Sequence, residues 1–71
     1  MKIDYFPDTD TLYIGFSSKP KYNESEEIAP DFVVDFGPNE QVVGIEIEHA
    51  STVVDLDRLE MSFSLKKKLK V

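Results

Sequence analysis

Seventy-one residues with fourteen acids, eight bases and no cysteine make one small acidic domain and exclude a disulfide framework or a Cys-based zinc site. At 41% hydrophobic and 31% charged, the chain carries too much apolar material for an acidic disordered segment. No apolar run approaches the roughly 20 residues of a membrane span. Met1-Lys2-Ile3-Asp4 also lacks the basic opening and apolar stretch of a signal peptide, so a cytoplasmic location is expected.

Charge is distributed unevenly. Residues 1–57 hold thirteen acids against three bases, net −10, and residues 58–71 hold five bases and one acid, net +4. An acidic body repels phosphate backbones, so neither nucleic acid nor a membrane is an expected partner, whereas a basic protein is. The cluster Lys66-Lys67-Lys68-Leu69-Lys70 has the composition of a solvated tail.

Period-2 alternation dominates the chain. Met1, Ile3 and Tyr5 alternate with polar residues up to the turn-forming Pro7-Asp8-Thr9-Asp10, and Leu12, Ile14 and Phe16 follow, predicting a first β-hairpin. Ser17 to Ser25, with Pro20 and Asn23, has the composition of a loop. Phe32, Val34 and Phe36, the turn Gly37-Pro38-Asn39, then Val43, Ile45 and Ile47 predict a second hairpin. Ser51 stands where a helix N-cap belongs, with Asp55 and Asp57 after it, so a short helix is expected near 51–57. Continued to Leu69, that helix would be apolar on both sides. As a strand, Leu59, Met61, Phe63 and Leu65 alternate cleanly with Glu60, Ser62 and Ser64, which predicts a C-terminal strand near 59–65. The expected fold is α+β and mostly β: one domain over 1–71, with a small antiparallel sheet of about five strands.

Such a sheet is roughly 20–24 Å wide, and a two-turn helix, about 10 Å long, covers only part of one face. The uncovered remainder, an apolar patch of several hundred Å², predicts a homodimer packed face to face. Phe32, Val34, Phe36, Val43, Ile45, Ile47, Met61 and Phe63 are its expected interface residues.

Chemistry-bearing residues are sparse. His49 is the only histidine, and with Glu46 and Glu48 it makes a weak metal-ligand candidate, with Asp35 as a further neighbour. Asp8-x-Asp10 resembles the opening of a calcium loop but lacks the glycine and closing glutamate that should follow, so a simple turn is expected. Glu24, Glu26, Glu27 and Asp31 suit a solvated sheet edge. Gly44, inside a strand, marks a bulge or a close approach by another group. No nucleophile stands beside a base, no Gly-rich loop could cradle a phosphate, and no carboxylates pair at a convincing spacing. No enzyme and no cofactor are expected.

Tyr5, Asp8-x-Asp10-x-Leu12-Tyr13-Ile14, Glu27-Ile28, Val33-Val34-Asp35-Phe36 and Val43-Gly44-Ile45-Glu46-Ile47-x-x-Ala50-Ser51 together resemble the bacterial and archaeal domain-of-unknown-function family numbered 2283. The resemblance covers about residues 3–51, leaving the helix and strand of 51–66 and the basic tail 66–71 outside its specific part. Thr52-Val53-Val54-Asp55 stands where the family often has a basic residue, and Gly37-Pro38 where an acidic turn is common. The resemblance transfers no catalytic residue. Some members lie beside genes resembling small toxins, which implies an antitoxin role. The expected function is thus an acidic protein-interaction module neutralising a small basic toxin. The alternative is a small-ligand or metal-binding homo-oligomer without catalysis.

Overall fold

The alternating segments form strands because each side of the pleat has somewhere to go. In the computed structural model, which describes residues 1–16 and 23–64, β1 (Lys2–Phe6), β2 (Thr11–Gly15), β3 (Glu24–Ala29), β4 (Phe32–Phe36) and β5 (Val42–Glu48) make one antiparallel sheet in the order β1-β2-β5-β4-β3. A short helix, α1 (Ala50–Val53), follows β5. Among the described residues no helix is long and apolar enough to cross a membrane.

Register sorts the side chains into two faces. Cross-strand partners share a face, so Tyr5, Leu12, Ile47 and Phe32 form one apolar row and Ile3, Ile14, Ile45 and Val34 the next. Rows on the opposite face are polar. One runs Asp4, Tyr13, Glu46, Val33, Glu27, and its neighbour runs Lys2, Gly15, Gly44, Asp35, Ser25. Among the described residues the buried apolar core is small, consisting of Val34, Val43, Ile47 and Ala50.

Five antiparallel strands and one short helix match the expected fold class, but the fifth strand differs from the one expected. Glu24–Ala29 is a strand although its sequence, ESEEIA, has no apolar alternation. Its order comes from the ladder to β4, and the glutamates suit an edge that discourages further pairing. The expected loop therefore ends at Asn23, and residues 17–22 lie outside the described residues. In place of the C-terminal strand expected near 59–65, residues 58–64 are irregular; residue 65 lies outside the described residues. A strand needs an edge to pair with, and among the described residues neither outer edge of the sheet, β1 or β3, pairs with this segment, which follows a turn at Leu56–Asp57. The helix expected near 51–57 is a single turn, because Val54 is already extended.

Of the expected interface residues, Val34, Val43 and Ile47 are buried within the subunit. Phe32, Phe36 and Ile45 are half-buried, and Met61 and Phe63 are exposed.

Candidate functional site

Two polar constellations organise the residues that the sequence singles out. The first gathers at one end of the sheet, where three residues adopt left-handed backbone: Asp10 (φ 54°) in the β1–β2 turn, Asp31 (φ 71°) in the β3–β4 turn, and His49 (φ 53°) between β5 and α1. Asp tolerates this region better than most residues. The two turns hold the His49 segment from either side, since the Asp10 carbonyl accepts from the Ala50 N–H at 2.9 Å and the Asp31 carbonyl from the Glu48 N–H at 2.8 Å. Ala50 is fully buried, which leaves no room for a larger side chain.

Asp10 is also the helix cap. Its Oδ1 accepts from the Ser51 N–H at 3.0 Å and the Tyr5 hydroxyl at 2.7 Å, and its Oδ2 accepts from the Ser51 hydroxyl at 2.7 Å. Ser51 is therefore not the N-cap expected of it; His49 holds that position without a side-chain bond. A carboxylate 41 residues away along the chain satisfies the orphan helix donor instead. These bonds, that from Ser51 foremost, hold the Asp10 carboxyl below its ordinary value. Asp10→Asn is expected to lower the melting temperature at pH 7. A carboxyl whose folded value is depressed contributes stability above its unfolded value, 3.8, and loses it as pH falls through the lower folded value. The gap between variant and wild type should therefore narrow as pH falls below 3.8 in thermal melts followed by circular dichroism.

His49 lies at the surface with its Nδ1 2.8 Å from Asp31 Oδ1. A carboxylate only accepts, so the ring donates, and this bond raises the imidazole above its ordinary value. The histidine's Nδ1 is thus engaged by the turn, while the residue lines one groove with Glu46 and Glu48. Among the described residues no group of three or more His, Cys, Asp or Glu is placed to hold a metal ion.

The second constellation lies on the polar face. Gly15 and Gly44 are cross-strand partners, and the Tyr13 ring lies over both. A Cβ on Gly44 would sit 2.7 Å from the Tyr13 hydroxyl oxygen, so the close approach expected at this glycine is by a neighbouring aromatic ring. Asp35 is opposite Gly44, and Glu46, diagonal to it on β5, lies within hydrogen-bonding reach of it. Asp35 is only 4% exposed and accepts from the Ser25 hydroxyl at 2.5 Å. Desolvation, the hydrogen bond to Asp35, and the negative charges of Asp35 and Glu48 push Glu46 up to about 7. This corrects the expectation of no paired carboxylates. Near neutral pH Glu46 is thus poised between its charged and its protonated form. Beside it an open groove of about 680 Å³ is lined by Phe6, Thr9, Thr11, Tyr13, Glu46, Glu48 and His49. A perturbed carboxyl in a groove is a common mark of catalysis, yet structural networks produce it too. Here the buried Asp35 is already occupied by Ser25 and Glu46.

A family model described as protein of unknown function (DUF2283) matches residues 2–51. The chain belongs to that family. Comparison with curated proteins and with solved structures gives no match. Of the residues that carry the DUF2283 resemblance, Tyr5, Asp10, Ala50 and Ser51 belong to the end clamp, and Tyr13, Asp35, Gly44 and Glu46 to the polar face. Asp31, Ser25 and Gly15 complete them. Their roles were hidden because each depends on a partner from another strand.

Proposed function

We propose that this DUF2283 chain is a non-catalytic, cytoplasmic protein-interaction module that works as a homodimer and neutralises a small basic toxin. The observation that carries the reading is the surface it leaves open. Among the described residues only four hydrophobic ones are buried and no large side chain is fully enclosed, while Ile3, Tyr5, Leu59, Met61 and Phe63 stay exposed. A chain of this size has little core to spend and gains most from covering such a patch. The net −10 of residues 1–57 would attract a basic partner and speed encounter with it. Both polar constellations bond inward, which suits a scaffold better than a catalytic centre.

The test is to express the neighbouring gene alone and together with this one. Toxicity alone, growth in the pair and co-purification are the expected results. A harmless neighbour, or two proteins that never associate, overturns the toxin-neutralising role.

A further inference from the structure

Resting on the reading of a module for a basic partner, we propose that the groove on the polar face takes the guanidinium of an arginine side chain presented by that partner. Register builds the walls of this groove, which has a volume of about 680 Å³. Phe6, Thr11 and Glu48 are cross-strand neighbours in one row, and Tyr13 is opposite Glu46 in the next, so all five share a face. Phe6 is the unexpected member of that face, an aromatic ring among hydroxyls and carboxylates that is 50% exposed. Tyr13 lies against Gly15 and Gly44, in the space their missing side chains leave. Glu48 is exposed, and among the described residues its carboxylate has no ion-pair partner.

Two rings beside two carboxylates select the ligand. A guanidinium stacks on an aromatic face while its rim donates to carboxylate oxygens, and it is more weakly hydrated than an ammonium. A solvated acidic patch lacks the rings, and an apolar cleft lacks the charges. An anion is repelled by Glu46 and Glu48, with Asp35 buried beside them. Protonation then sets the strength of the site. Burial and the carboxylates of Asp35 on β4 and Glu48 on β5 push Glu46 up to about 7, and Asp31 raises His49, which lines the same groove. At pH 6 Glu46 is mostly neutral and His49 mostly cationic, so with Glu48 the lining charges cancel. As pH rises both lose their protons, and the lining approaches −2. A cation is therefore bound more tightly at higher pH.

Titration of the full, isotope-labelled chain with acetyl-arginine methylamide, followed by its amide NMR shifts, tests this. At pH 8 the blocked arginine should bind with a Kd of about 1–10 mM, the strength of a single side chain, and shift residues around Phe6, Tyr13 and Glu48. The lysine analogue should bind about threefold more weakly or worse, and the uncharged citrulline analogue not at all. Phe6→Leu and Glu48→Gln should each weaken arginine binding about two- to fivefold. Lowering the pH to 6 should weaken it about tenfold, and Glu46→Gln should remove most of that dependence. Equal binding of the lysine analogue, shifts spread over the whole acidic surface, or no shift at all overturns the groove assignment alone. Free arginine binding more tightly than the blocked residue assigns the groove to a small metabolite and overturns docking on a protein. A harmless neighbouring gene overturns the toxin-neutralising role and leaves the arginine site standing.

Discussion

Glu46→Gln should be more stable than the wild type at pH 8 and indistinguishable from it near pH 4. The wild-type glutamate moves from 4.5 to about 7 on folding, because burial and the Asp35 carboxylate both penalise its charge. Between those two values the folded chain binds more protons than the unfolded one, so wild-type stability falls as pH rises across that window and levels off above it. In a fully buried site the displacement would correspond to about 3 kcal/mol. Glu46 is half-buried, and solvent screening leaves about 1–2 kcal/mol. Glutamine keeps an N–H to donate to Asp35 and removes the titration. Urea unfolding at half-unit pH intervals tests this: a variant profile parallel to the wild type from pH 4.5 to 7 would sink it.

His49 slopes the same way and has to be separated. Its raised value means that the bond to Asp31 contributes fully below the unfolded value of 6.5 and is lost as pH rises through the folded value. Whatever slope survives in Glu46→Gln above pH 6.5 should vanish when His49→Asn is added. Both groups feel the Glu48 carboxylate and line one groove, so the double variant has to be measured rather than summed from the single ones.

The central sheet was legible because β1, β2, β4 and β5 each alternate, and alternation is a property of one segment. What the sequence hid was pairing. Glu24–Ala29 has the composition of a loop and is a strand because β4 offers it an edge. Leu59 to Leu65 has the pattern of a strand, yet residues 59–64 form none, since neither edge of its own sheet receives it. The Asp35–Glu46 pair was legible in part: alternation sets Asp35 on the face opposite Val34 and Glu46 on the face opposite Ile45, and the register that makes them diagonal neighbours came only with the fold. Asp10 was legible as a turn residue, but its role as the cap of a helix that begins forty residues later required the fold. The Val-Gly-Ile-Glu-Ile-x-x-Ala-Ser segment was recognisable as a unit because it touches both constellations at once.

Replacing Gly44 is expected to produce the largest loss of stability among single changes on the polar face. A methyl group at this position would meet the Tyr13 hydroxyl oxygen at 2.7 Å, the ring at 3.1 Å and the Ile14 carbonyl oxygen at 3.1 Å. The ring can swing aside, but the carbonyl belongs to the neighbouring strand and cannot. Overpacking of this kind costs about 1–3 kcal/mol, and removing a glycine from a strand returns about 0.5–1 kcal/mol. Gly44→Ala should therefore lose about 1–2 kcal/mol. Gly44→Val, with two further methyl groups in the same space, should lose about 3 kcal/mol, a large share of what so small a domain possesses. Gly15→Ala should cost less, because its nearest neighbours, from 3.0 Å, are all Tyr13 ring and hydroxyl atoms that can yield. A double-mutant cycle isolates the cause. With Tyr13→Ala the ring is gone, so Gly44→Ala should cost about 1 kcal/mol less than in the wild type, leaving only the Ile14 contact. Strict additivity of the two changes in urea unfolding would show that the ring does not set the requirement for glycine.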